Sequence, residues 1–525
     1  MKNLIVSCAF LLLTFPCQAQ VTCDPNIPAD VNNDCLVDFH DFALIASNWH
    51  QDGPTEPNQS WVARYNGPMN NSDKAAAVAA DDHSNVYVTG ESVGAGGECD
   101  YVTIKYDSDG NEVWLARYDG DANSSDGATA IALDSTGNVY VTGYSKGLGT
   151  DADYTTIKYD ADGNEVWVAR YDGEPNKYDK AAAIAVDDSC NVYVAGCSDG
   201  PGTGADYVTI RYDADGNQVW AARYNGPGNG SDKAWALVID DACNVYVTGS
   251  SKGAGTFEDY ATVKYNADGN EVWVRRYNGP GNSRDAGKAL AIDDACNVYV
   301  TGYAYVSDIN WCDYATIKYT SDGNELWVRL YDGSACNSDE ASDIAVDRFG
   351  GVYVTGLSWG ASSVFDCDYA TIKYDSEGSE VWVARYDGPA HDWDEPVALA
   401  VSNPNCVYVT GCSEGPGTSG DYATVKYDAD GNEVWVGRYN GPGNGVDDVY
   451  DMALDRFGNI YITGCSDNLS LNSDYATIKY SRQGACLAQI TGDINRDCVV
   501  DLGDLAILAV HWLDCNLDPP DECPD

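Results

Sequence analysis

The chain has 525 residues, 44% of them apolar, enough for a sizeable core, so wholesale disorder is excluded. Lys and Arg number 30 against 82 Asp and Glu, a formal net charge of −52. That excess argues against a nucleic-acid or anionic-membrane partner and for cations, calcium above all, or a high-salt habitat. With 53 Gly and 37 Tyr but 3 Met and 8 Phe, the composition suits short strands and turns better than long helices.

Residues 1–19 read as an export signal. Lys2 is the positive start, residues 4–15 are the apolar segment, and Cys17-Gln18-Ala19 is a small-residue exit with cleavage near Ala19. The expectation is a secreted or cell-surface protein. No later run is long and apolar enough to span a bilayer, so no membrane span is expected. Loss of Cys8 and Cys17 with the signal leaves an odd number of cysteines, hence at least one thiol that is free or intermolecular.

Residues 23–50 form a first small module. Asp30, Asn32, Asp34, Asp38 and Asp41 take positions 1, 3, 5, 9 and 12 of a loop, with the Leu36 carbonyl at position 7. Hard oxygen donors at that spacing are what a calcium loop needs. Phe42, Ile45, Ala46 and Trp49 then make one apolar helical stripe. Residues 51–60 are a linker.

From 61 to 480 the chain is a repeat of about 53 residues in eight copies. Four strand-like runs recur in fixed order. A WVARY run begins at Trp61, Trp114, Trp167, Trp220, Trp273, Trp327, Trp382 and Trp435. A small-residue run such as AAAIAVD follows, then VYVTG, then DYATIKY. Each has β-branched or aromatic residues bounded by Gly, Asp, Asn or Pro. Four such strands per repeat indicate an all-β fold, a β-propeller blade. If the small-residue run is innermost strand a, the chain begins with a lone outer strand d and ends with a, b and c. An eight-bladed β-propeller with one-plus-three strand closure is expected, with no free edges. The stretch YDADGNEVW, 159–167, reads as a hairpin with Gly163 supplying the positive φ.

Residues 486–515 repeat the first module, with Asp493, Asn495, Asp497, Asp501 and Asp504 in the loop and the Val499 carbonyl at position 7. Leu505, Leu508, Ala509 and Trp512 form the stripe, and 516–525 are a tail. Small α-helical calcium-loop modules are thus expected at both ends, with Ca2+ as their ligand. Cys23 precedes Cys35 by twelve residues, as Cys486 precedes Cys498. Disulfides Cys23–Cys35, Cys486–Cys498 and Cys515–Cys523 are expected. Cys190, Cys243 and Cys296 share one turn position in consecutive repeats, too far apart to bridge, and read as packed thiols.

The repeats resemble the bacterial SBBP-type β-propeller repeat, most clearly at DSTGNVYVTG, 134–143. That resemblance implies the fold and little about a ligand. The YDADGNEVW turns resemble the sialidase Asp-box and the tryptophan-docking repeat of eight-bladed quinoprotein dehydrogenases, a likeness read as architectural. Each end module resembles half of a type I dockerin, with Cys35 and Cys498 where that family has Gly. This resemblance implies calcium binding, a cohesin-like or cell-surface protein as partner, and a place beside polysaccharide breakdown. If the ring closes as expected, the two halves meet in space and pair.

Three candidate sites remain. The small-residue strands begin with Asp73, Asp126, Asp179, Asp232, Asp285, Asp339, Asp394 and Asp447, which read as a cation ring or as ion pairs with the strand d arginines. Near-matching counts favour the pairs, with Leu330 replacing the arginine once. Gly-rich loops such as 145–153 and the NGPGNGSD segments are expected on one face, the natural ligand surface, with a glycan as one candidate ligand. His391, with Asp392, Trp393, Asp394 and Glu395, is the most irregular spot and an acid–base candidate. No phosphate loop, nucleophile elbow or HExxH occurs. The leading expectation is a non-catalytic binding or scaffold module. The alternative is a glycan hydrolase or lyase.

Overall fold

The computed structural model describes residues 57–173, 177–306, 311–333, 337–360, 367–402, 406–470 and 472–481. Gln59–Ser481 is one compact unit; the other comprises Met1–Asn58 and Arg482–Asp525. The export signal, the calcium loops with their helices and the terminal disulfides expected from the sequence all fall outside the described residues.

The four recurring runs become thirty-two strands in eight four-stranded sheets. Blade 2 is typical: β6 (Asp126–Leu133), β7 (Val139–Lys146), β8 (Ala152–Tyr159) and β9 (Glu165–Tyr171) pair antiparallel in chain order. The small-residue strands are β2 (Asp73–Ala80), β6, β10 (Asp179–Val186), β14 (Asp232–Ile239), β18 (Ala286–Ile292), β22 (Asp339–Val346), β26 (Asp394–Ser402) and β30 (Asp447–Leu454). Each touches the next, and β30 touches β2. They form a closed inner ring, so the molecule is an eight-bladed β-propeller. The last sheet has the order β1 (Asn58–Tyr65), β32 (Ser473–Ser481), β31 (Ile460–Asp467), β30. Among the described residues no helix is long and apolar enough to cross a membrane.

Burial follows the pattern of the runs. Strands b and c are flanked within their own sheet and covered on both faces by neighbouring blades, so Val139 to Val141 and Tyr154 are fully buried. Strand d lies outermost, and Glu165 and Val166 face water. The core is therefore a series of seams. In one of them Tyr140 and Tyr154 of blade 2 pack with Val192, Val194, Val208 and Ile210 of blade 3. Strand a carries a bulge after its third residue, between Ala128 and Ala130 in blade 2, which bends the strand and re-aims one side chain.

The D-x-x-G-N-V-Y segment owes its composition to one turn. Asp134 Oδ1 accepts from the Thr136 and Asn138 backbones at 2.9 and 3.0 Å, and its Oδ2 from Asn138 Nδ2 and the Tyr140 hydroxyl at 2.7 and 3.0 Å. Burial works to raise this carboxyl, but those bonds outweigh it and hold it down at about 2. Gly137 takes φ 84°.

The seams are tied by polar bonds in register. Each strand c tyrosine donates to the strand c carbonyl of the next blade, from Tyr101 to Thr155 at 3.1 Å through to Tyr475 and Val102 at 3.4 Å. The WVARY tryptophan docks on the next blade. Trp114 Nε1 donates to the Ala161 carbonyl at 3.1 Å, and its ring lies against Gly163, where a Cβ would meet Trp114 Cδ2 at 2.6 Å. Gly163 also has φ 85°, so both space and conformation demand glycine there.

Candidate binding face

The loops from d to a and from b to c share one face. Gly228 N donates to the Lys252 carbonyl at 3.1 Å, Gly281 N to Tyr305 at 2.7 Å and Gly443 N to Asp467 at 3.0 Å.

The first aspartate of strand a builds this face from beneath. Asp126 is fully buried; its Oδ2 accepts from Gly120 N at 2.6 Å and its Oδ1 from Lys146 N at 3.0 Å. The matching glycine N–H binds the matching aspartate in all eight blades. The reading of these residues as partners of the strand d arginines needs correction. Among the described residues the carboxylates turn back into the loops and form no ion pair with a strand d arginine. The arginines pair instead with the first aspartate of strand c, because hairpin register sets those two residues side by side.

Arg170 meets Asp153 at 3.0 Å, and also binds the Ser145 hydroxyl at 2.9 Å and the Ser145 carbonyl at 2.7 Å. Arg117 reaches the Tyr65 hydroxyl of the preceding sheet at 2.9 Å. Burial alone lowers these guanidinium groups, but bonds to Asp and Tyr outweigh it and leave them raised. The arrangement recurs seven times. Blade 5 departs from it, with Leu330 for the arginine and Ala304 for the serine. There burial, then repulsion from Asp332 and Asp339, pushes the Asp313 carboxyl up to about 7.

The start of the inner ring breaks the eightfold repeat. At the second and fourth positions of strand a, blade 1 carries Lys74 and the adjacent blades 3, 4 and 5 carry Lys180, Lys233 and Lys288, while blades 6, 7 and 8 carry Glu340, Glu395 and Asp448. A chain of strongly negative charge thus gathers three lysines on one arc, with acids on the next. Exposed aromatic rings accompany them. Lys288 Nζ lies 4.6 Å from the Trp235 ring and 5.5 Å from the Tyr303 ring. Trp393 stands edge-on to Trp359 at 5.9 Å and donates to Glu395 at 3.2 Å. Deeper in the ring, just past the bulge, six blades have Ala but blades 6 and 8 have Asp343 and Asp451. Each accepts a backbone N–H of the following blade at 2.8 Å, from Leu399 and Val78. Burial pushes Asp343 up to about 6 and Asp451 to about 7.

His391 does not meet Asp394. Its Nδ1 lies 2.7 Å from Asp387 Oδ2, both groups substantially exposed, while Asp394 is buried and binds Gly388 N at 2.5 Å. The packed thiols are found as free cysteines, with Cys190 Sγ 3.5 Å from Asp134 Oδ2 of the preceding blade. Cys190, Cys243 and Cys296 have φ of 61°, 59° and 57°, and occupy the turn position where Gly137 stands in blade 2. The metal ligands expected from the sequence, Asp30 to Asp41 and Asp493 to Asp504, lie outside the described residues.

Three segments, 116–149, 327–362 and 434–469, match the family model for the SBBP β-propeller repeat. A WD repeat-containing protein of Acanthamoeba polyphaga mimivirus is 23% identical over 467 residues, covering 73% of this chain and 32% of its own. The chain thus spans about a third of the length of the curated relative it matches. Among solved structures, a eukaryotic initiation factor is similar at 9% identity and TM-score 0.37, covering 74% of this chain and 88% of its own. The β-propeller domain of the Trilobed protease from Pyrococcus furiosus is similar at 8% identity and TM-score 0.36, covering 69% and 98%.

Proposed function

We propose that this SBBP-repeat propeller is an exported, non-catalytic binding module whose ligand sits on the face that bears the d–a and b–c loops. The observation that carries the reading is where the repeats stop being alike. Tryptophan docking, the tyrosine ties and the arginine network are nearly uniform around the ring, as a scaffold requires. The start of the inner ring is not uniform: lysines occupy one arc, carboxylates the next, and Trp235, Tyr303 and Trp393 lie among them. Aromatic rings beside a cationic arc suit a glycan that carries carboxylate or sulfate groups, with sugar faces on the rings and anions on the lysines.

The terminal modules bind calcium through Asp30, Asn32, Asp34, Asp38 and Asp41, and through Asp493, Asn495, Asp497, Asp501 and Asp504. They attach the propeller to a cell surface or to an extracellular polysaccharide-degrading assembly. The one-plus-three blade holds the ring shut so that the face stays rigid.

The test is binding of the full chain to a panel of neutral, uronate-containing and sulfated polysaccharides, with calcium and with chelator. Retention of an acidic glycan that falls at least tenfold in Trp235→Ala and in Lys233→Ala/Lys288→Ala supports the reading. Equal retention by these variants, or none by the parent, overturns it.

A further inference from the structure

We propose that Asp313, Asp332 and Asp339, at the seam between blades 5 and 6, bind one divalent cation of the calcium class, in the place that arginine fills elsewhere in the ring. Among the described residues, four seams bring three carboxylates together, each with its candidate oxygens within 4.8 Å of one another. Three of those seams contain their own cation: Arg117 meets Asp100 at 2.7 Å, Arg170 meets Asp153 at 3.0 Å, and Arg385 meets Asp368 at 2.6 Å. The fourth has Leu330 at the arginine position. It also has Ala304 where the other seven blades have the serine that such an arginine binds. The two replacements together remove the guanidinium and its anchor but keep all three acids.

The acids are not solvated bystanders. Asp313 is 7% exposed, and its carboxylate has no hydrogen bond or ion pair among the described residues. Asp339 is 1% exposed; Gly333 N holds its Oδ2 at 2.8 Å and the Ser358 hydroxyl lies beside the carboxylate, but no cation meets it among the described residues. Two carboxylates so buried are stable only with a positive charge, or a proton, between them. Asp332 is exposed and opens the cluster to solvent, giving an ion a way in.

The three candidate oxygens lie within 4.8 Å of one another, close enough for a single ion to reach all of them. Hard carboxylate donors in an irregular, partly open arrangement suit calcium, which accepts flexible geometry, better than magnesium, which demands a near-ideal octahedron. Water completes the shell on the Asp332 side, so affinity belongs to the weak class, roughly 10⁻⁴–10⁻³ M.

The test is equilibrium dialysis of the full chain with calcium alone, near pH 8. Leu330→Arg restores the arginine of the other blades, and Asp313→Asn removes a ligand. Each should bind one calcium fewer per chain than the parent, and any calcium held elsewhere should remain. Ser145→Ala/Arg170→Leu recreates the blade 5 pattern around Asp153, Asp172 and Asp179 and should gain one. If Leu330→Arg does not fold, Asp313→Asn decides. Equal calcium in parent and Asp313→Asn overturns the proposal, and means that the seam holds a proton instead.

Discussion

At the scale of single residues, the arginine network and the docked tryptophans set the cost of substitution. Arg223 pairs with Asp206 at 3.0 Å, with 28% of the arginine and 2% of the aspartate side chain exposed. Arg223→Leu leaves that acid buried without a counter-charge, held only by the Thr203 hydroxyl at 3.1 Å. Removing one partner of a fully buried pair costs about 3–5 kcal/mol; with the arginine partly in water, roughly 2–3 kcal/mol is expected. Chemical denaturation checks it. Gly163→Ala meets two penalties at once, a Cβ 2.6 Å from Trp114 Cδ2 and a φ of 85°. It should lower the unfolding midpoint more than Gly149→Ala, also at positive φ but with open space around it. Comparing the two by thermal unfolding separates steric from conformational cost. The glycine and tryptophan were both legible in the sequence as one turn motif. Which tryptophan meets which glycine was not, since Trp114 docks across a seam on the following repeat.

At the scale of elements, the strands were legible and their partners less so. Periodicity and turn residues marked four strands per repeat, and the small-residue run was assigned innermost because only small side chains fit near the axis. Which aspartate meets the arginine was misread because counting residues cannot tell hairpin register. Arg170 reaches Asp153 only because β8 and β9 pair as they do, which places Arg170 across from Thr155 and diagonal to the acid two residues away on the same face. Elements also divide the response to pH into two opposing groups. The a–b turn carboxyls Asp81, Asp134, Asp187, Asp240 and Asp293 are depressed, Asp134 to about 2, so their contribution is present above their unfolded value near 4 and lost as pH falls toward 2. Asp343 and Asp451, deeper in the inner ring, behave oppositely. Asp451, raised to about 7, costs nothing at acid pH. Its cost grows as pH rises from about 4, where the unfolded chain ionises, to about 7. Asp451→Asn should therefore flatten the decline in stability across that interval and leave the acid limb below pH 4 unchanged. Denaturation midpoints measured in chelator from pH 3 to 8, in parent and variant, give the difference directly.

At the scale of the whole molecule, a propeller is a chain of like seams, and its last seam decides whether it behaves as a ring or as a stack with two ends. The seam between the final and first blades has the same bonds as the others. Tyr475 donates to the Val102 carbonyl, Ser84 to Asp455 at 2.7 Å, and Lys479 to the Ser108 carbonyl at 2.9 Å. What β1 adds is Trp61, whose indole donates to Ser108 at 3.1 Å, and Arg64, which binds Asp474 at 3.1 Å and the Tyr439 hydroxyl at 2.8 Å. It also covers the outer edge of β32, whose backbone groups would otherwise be open to another chain. Deleting residues 20–65 removes both effects. Repeat stacks with free ends open from those ends, whereas a ring must break a seam before any blade can leave. The deletion should therefore broaden the unfolding transition and promote self-association through the bare edge of β32. Trp61→Ala/Arg64→Ala, which keeps the strand but removes its docking, should lower the midpoint while the chain stays monomeric. Calorimetry and size-exclusion chromatography of the three proteins distinguish the two effects. If the deletion unfolds as sharply as the parent and stays monomeric, the first strand contributes nothing to closure, and the seam bonds between β32, β31, β30 and blade 1 suffice to hold the ring.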